Sequence, residues 1–111
     1  MTVELLVGFE AENISVVAKP MTRATGLEAE LHDSIYVGDY YLFSMPERVI
    51  VKYNFVESTG DWEAEEFKKF GVLTRVDETE RPEYFEALAQ DIGFSTVVIR
   101  RPWSGRAWRP A

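Results

Sequence analysis

The chain predicts an α+β fold: a single domain built on a mainly antiparallel sheet of five to seven strands, with one or two helices packed on one face. Three observations predict it. Apolar residues alternate at period two through much of the chain, and one segment near the C-terminus repeats at helical period. β-Branched and aromatic residues are abundant, as strands require. At 111 residues, 46% hydrophobic and 14% aromatic, the chain can build one core and has no room for two. That composition also argues against disorder.

The elements follow in order. Val3, Leu5, Val7 and Phe9 share one face of an extended run, with Glu4 and Leu6 on the other. After the polar Glu10–Asn13, the β-branched Ile14–Ala18 reads as a second strand joined by a short turn. Lys19–Gly26, holding Pro20 and Gly26, reads as a loop. Leu27, Ala29 and Leu31 alternate with Glu28, Glu30 and His32 as in a half-buried strand; a single helical turn is the competing assignment.

Ser34–Met45 is rich in aromatic and β-branched residues, interrupted at Gly38-Asp39. Pro46-Glu47 is a turn, and Arg48–Val56 alternates strongly, so these two runs predict a hairpin. Its apolar face carries Val49, Val51, Tyr53 and Phe55, and the face of Ile50, Lys52 and Asn54 is expected to be wetter.

Asp61 has the character of a helix N-cap, with Glu63, Glu65 and Glu66 in the first turns, Lys68 and Lys69 in the last and Gly71 beyond. A short helix over Asp61–Phe70 is therefore expected. Val72–Val76 is a short strand. Thr79 or Glu80 caps a helix with Pro82 in its first turn, and Phe85, Leu88, Ala89 and Ile92 follow at i, i+3, i+4 and i+7. Gly93 stops it, and Phe94–Ile99 returns as a strand. This C-terminal strand–helix–strand unit has a right-handed crossover if its strands share a sheet in parallel.

Charge is unevenly placed. The 12 Lys and Arg against 19 Asp and Glu give a net −7. Residues 1–99, the α+β domain, carry −11, and residues 100–111 form a basic Arg/Trp tail at +4, holding Arg100, Arg101, Arg106 and Arg109 with Trp103 and Trp108. The tail is expected to pack on the domain or extend from it. Nucleic-acid binding fits an acidic body poorly. No run reaches the roughly 20 apolar residues of a membrane span, and the N-terminus lacks a signal-peptide pattern, so a cytoplasmic location is expected.

Chemistry has few starting points. With no Cys, thiol catalysis and thiolate metal sites are excluded, and one His excludes multi-histidine sites. No phosphate-binding glycine loop and no EF-hand pattern is present. No cofactor, metal ligand set or catalytic group is assigned. The candidate partner surface is acidic: Glu57, Asp61, Glu63, Glu65 and Glu66 around Trp62, and a second cluster of Asp77, Glu78 and Glu80 beside Glu83. A tryptophan ringed by polar groups suits an interface anchor, and negative charge speeds encounter with cationic partners. Tyr36, Tyr40 and Tyr41 form a candidate aromatic patch.

The leading expectation is a small, non-catalytic acidic protein that binds a basic partner, acting as a monomer or weak homodimer. Its most concrete form is a bacterial immunity protein or antitoxin that covers the active site of a basic toxin, such as a nuclease. The alternatives are a small enzyme or ligand-binding protein with a pocket of His32, Tyr36, Tyr40 and Tyr41, and a phage or structural assembly protein.

Overall fold

A computed structural model describes residues 2–34, 38–94 and 96–102. The fold is α+β: two helices and a six-stranded sheet in the order β2-β3-β4-β7-β1-β8, every neighbouring pair antiparallel. The strands of this sheet are β1 (Val3–Phe9), β2 (Glu30–Ser34), β3 (Gly38–Ser44), β4 (Arg48–Tyr53), β7 (Val72–Thr79) and β8 (Thr96–Pro102). The helices are α1 (Ser15–Thr25) and α2 (Pro82–Ile92). β5 (Phe55–Val56) and β6 (Asp61–Trp62) pair in a separate two-stranded hairpin.

Period-two alternation sends Leu5, Val7 and Phe9 of β1, Val49 and Val51 of β4, and Val72 and Val76 of β7 to one face. There they meet Val17, Ala18 and Met21 of α1 and Phe85, Leu88 and Ala89 of α2, forming the main core. Both helices therefore lie on the same face, and α2 follows its expected period. Gly93 ends α2 at φ 93°, a left-handed position natural to glycine.

The segment expected to be a strand and a loop, Ile14–Gly26, is mostly α1. Its reason lies in period: Ile14, Val17, Ala18 and Met21 fall at i, i+3, i+4 and i+7, and all four are buried. Asn13 supports the start, its Oδ1 accepting from the backbone N–H of Ser15 at 2.8 Å. Pro20 sits inside the helix, away from that buried stripe, and Gly26 closes it in the left-handed conformation.

The strand expected from Leu27 begins only at Glu30, and Leu31 is exposed, while Leu27 and Ala29 pack on the core from outside any strand. β3 and β4 form the expected hairpin, with Ser44 opposite Arg48. β7 runs on to Thr79 through an irregularity in its pairing with β1, where Glu78 takes φ 50°. β7 and β8 are parallel to one another in the one sheet, but β1 lies between them. β8 reaches Pro102, so Arg100 and Arg101 are strand residues; Trp103, Arg106, Trp108 and Arg109 lie outside the described residues.

The largest correction concerns residues 54–71. The helix expected over Asp61–Phe70 is instead the β5–β6 hairpin followed by a single 3-10 turn, Glu65–Phe67. Asn54 explains the difference. Its Nδ2 donates to the carbonyls of Ala64, Phe67 and Phe70 at 3.2, 3.0 and 3.0 Å, and its Oδ1 accepts from Ala64 N–H at 2.8 Å. The segment keeps only i→i+3 turn bonds of its own, Phe67 N–H to the Ala64 carbonyl and Phe70 N–H to the Phe67 carbonyl, and one buried side chain ties those turns to the end of β4.

This excursion folds over the second face of the sheet. Ala64 joins Leu6 and Leu73 there, with Phe67 and Ile99 packed against them. The face expected to be wet is consequently dry: Ile50, Lys52 and Asn54 are all buried. Two glycines permit the close approach. A Cβ on Gly8 would stand 2.9 Å from Cβ of Phe70, and one on Gly71 would stand 2.5 Å from the carbonyl oxygen of Ala11.

Candidate functional site

The excursion is held down by charge as well as by packing. Arg75 of β7 reaches three carboxylates: Glu4 at 3.3 Å, Glu63 at 3.3 Å and Asp77 at 3.1 Å. Glu4 also faces Arg101 at 3.6 Å. Lys52 is wholly buried beneath Glu63, 3.7 Å from its carboxylate, and its Nζ makes no hydrogen bond among the described residues. Burial pushes the Lys52 amine below its ordinary value, opposed by Glu63. Burial likewise pushes Asp77 up, against the pull of Arg75. Glu63 and Asp77, two of the sequence-predicted partner residues, are therefore committed to this internal network.

The remaining acidic residues separate into two regions. Glu57, Asp61, Glu65 and Glu66 are exposed on the hairpin and the 3-10 turn that follows. Glu78 and Glu80 are exposed too, but Glu78 is near the end of β7 and Glu80 just past it, at the opposite end from Val72, where the excursion rejoins the sheet. The two clusters meet only through Arg75, which pairs with Glu63 of the first and Asp77 of the second among the described residues.

Trp62 is half-buried and pairs across the hairpin with Phe55, their ring centroids 5.0 Å apart. Phe55 was expected inside; because β4 ends at Tyr53, it turns outward and is 39% exposed. Lys68 lies over the Trp62 ring at 5.6 Å and forms an ion pair with Glu65 at 3.8 Å.

Of the candidate aromatic patch, the two tyrosines among the described residues do not share a face. Tyr40 and Tyr41 are adjacent on a strand and point to opposite faces: Tyr40 is buried with Ile50, while Tyr41 packs on the main core. Tyr36 lies outside the described residues. His32 stacks on Tyr40, centroids 5.2 Å apart and 9° from parallel. The only histidine is thereby engaged with a buried ring.

Sequence reasoning missed one feature. β1 and β4 end, and β3 and β7 begin, at the same end of the sheet. An open groove of about 980 Å³ lies there, lined by Tyr53, Phe55 and Trp62 and by Glu12, Asp33, Asp39 and Glu57, with Lys68 and Lys69. Asp33 and Asp39 are directly opposite in the β2–β3 register. Like charges so placed are destabilising. None of the four groove carboxylates forms an ion pair among the described residues. Only strand register brings Asp33 to Asp39, so composition carried no signal for it.

Among the described residues, no group of three or more His, Asp or Glu side chains is placed to hold a metal ion, and no helix is long and apolar enough to cross a membrane. Set beside family models, curated proteins and solved structures, the chain matches none of them.

Proposed function

We propose that the chain is a small acidic binding protein, without a catalytic role, that engages a basic protein in the cytoplasm. Its most concrete form is a bacterial immunity protein or antitoxin that covers the active site of a basic toxin, such as a nuclease. One observation carries the reading: Glu57, Asp61, Glu65 and Glu66 stand exposed around the half-buried Trp62 on a segment that is itself tied firmly to the sheet.

The physical logic is preorganisation. Asn54 and Arg75 fix the excursion before any partner arrives, so less ordering cost falls on binding. An aromatic anchor surrounded by charge supplies both a desolvated contact and its polar rim. The surrounding negative field raises the encounter rate with a cationic protein and makes it salt-dependent.

Co-expression with the product of the neighbouring gene tests this. The wild-type chain is expected to co-purify with it and to suppress its toxicity. The triple variant Glu57→Lys, Asp61→Lys, Glu66→Lys is expected to lose the complex while unfolding at a similar temperature. A complex of undiminished strength with that variant would place the contact elsewhere.

A further inference from the structure

We propose that the groove at the end of β1 and β4 seats an arginine side chain from an extended segment of the basic partner. Its guanidinium lies against the Trp62–Phe55 pair and is hydrogen-bonded by Asp33 and Asp39. This rests on the reading of the chain as a binder of a basic protein and names the residue chemistry that such a partner must present.

The charge of the groove selects its occupant. Four carboxylates, Glu12, Asp33, Asp39 and Glu57, face two lysines, leaving an excess of negative charge. The lysines are already engaged: Lys68 with Glu65 and Trp62, Lys69 over the ring of Phe70 at 5.1 Å. An anionic ligand is repelled, and a neutral one leaves the Asp33–Asp39 pair uncompensated. A cation relieves the repulsion that the β2–β3 register imposes.

The aromatic pair narrows the choice further. Phe55 and Trp62 offer an exposed ring surface beside the carboxylates, and Lys68 already sets an ammonium over one ring. That lysine marks the ring as a cation-binding surface within the chain itself. Arginine suits the combined site better than lysine, because its flat guanidinium stacks on an aromatic ring while its N–H groups fork to carboxylate oxygens. An incoming arginine competes with Lys68 for Trp62 and displaces it toward Glu65.

The experiment is a fluorescence titration in the full chain carrying Trp103→Phe and Trp108→Phe, so that Trp62 is the sole reporter. The probes are capped peptides Gly-Arg-Gly-Arg-Gly, the lysine equivalent, and the citrulline equivalent, which is neutral and nearly isosteric with arginine. The arginine peptide is expected to shift Trp62 emission saturably and to bind roughly fivefold more tightly than the lysine peptide, with no saturable response to citrulline. Asp33→Asn with Asp39→Asn is expected to weaken arginine binding roughly tenfold, about 1.4 kcal/mol, without lowering the unfolding temperature. Lys68→Met, which removes the internal competitor, is expected to tighten it about twofold to fivefold.

Equal binding of arginine and citrulline peptides, or binding untouched by the Asp33 and Asp39 changes, overturns the proposal. A chain that ignores the arginine peptide yet forms a complex abolished by the Glu57, Asp61 and Glu66 reversals also overturns it, while leaving the binding function standing. Arginine binding without any basic protein partner removes the function and keeps the groove.

Discussion

Arg81 grips Glu47 with two parallel hydrogen bonds, Nε to Oε2 and Nη2 to Oε1, each 2.9 Å. The carboxylate sits in the turn between β3 and β4, and the guanidinium immediately before α2, so one contact joins hairpin to helix. Thr79 Oγ1 donates to the same carboxylate at 2.8 Å, and the Arg81 guanidinium lies over the rings of Tyr84 and Phe85. These bonds, Arg81 foremost, hold the Glu47 carboxyl down at about 2.

Glu47→Gln is therefore expected to cost about 2 kcal/mol of stability at neutral pH, by urea unfolding, because the charge-assisted pair is lost inside the fold. Glu47 has its folded-state value depressed, so its contribution is present above the ordinary carboxylate range and disappears as pH falls toward about 2. The gap between wild type and Glu47→Gln should shrink steadily from pH 5 to pH 3. A gap independent of pH would mean that the carboxylate charge is not what matters.

Lys52 has the opposite character. Its ammonium is buried with one carboxylate at ion-pair distance and no hydrogen bond, a costly arrangement. Lys52→Met is expected to be neutral or to stabilise the fold by about 1–2 kcal/mol, since Glu63 keeps Arg75 as its partner. Burial depresses the amine, so the unfolded chain binds the proton more readily and wild-type stability should gain on Lys52→Met as pH rises from 7 to 10. Denaturant midpoints of the two proteins across that range check the sign.

Asn54 organises the excursion, and its loss should be severe. Asn54→Ala strands the carbonyl of Phe70 and the N–H of Ala64, and leaves the carbonyls of Ala64 and Phe67 with only their turn bonds from Phe67 and Phe70 N–H. A destabilisation of about 3 kcal/mol is expected. Amide exchange at Ala64 should quicken more than at Val7 or Val51 in the core strands. Uniform acceleration would show that the excursion unfolds with the sheet and is not separately held.

Gly71→Ala should be poorly tolerated for a simpler reason. Its Cβ would stand 2.5 Å from the Ala11 carbonyl oxygen, and backbone cannot swing aside as a flexible side chain can. About 2 kcal/mol or more is expected in thermal or urea unfolding. By contrast, Gly26→Ala meets no atom within 4 Å and bears only the penalty of its left-handed backbone, φ 74°.

Local pattern made much of this fold readable. The alternation of β1, the β3–β4 hairpin and the period of α2 all survive because each is decided by residues a few positions apart. α1 was obscured by β-branched Ile14, Val16 and Val17 and by Pro20, although its buried stripe was present in the same residues. The excursion was not readable, because Asn54 acts on carbonyls 10 to 16 positions away. The dryness of Lys52 follows from that same long-range cover. Glu57 and Trp62 stood out by composition, whereas Asp33 and Asp39 acquire meaning only from register.

The proposed docking of a basic protein on the face around Trp62 would change amide exchange where the two proteins touch. Amide hydrogen exchange of the chain alone and in complex with its co-purified partner tests it most directly. Slowed exchange is expected along the β5–β6 hairpin and at Asp33 and Asp39, with α1 and α2 unchanged. Protection confined to the two helices, with the hairpin exchanging as in the free chain, would contradict it.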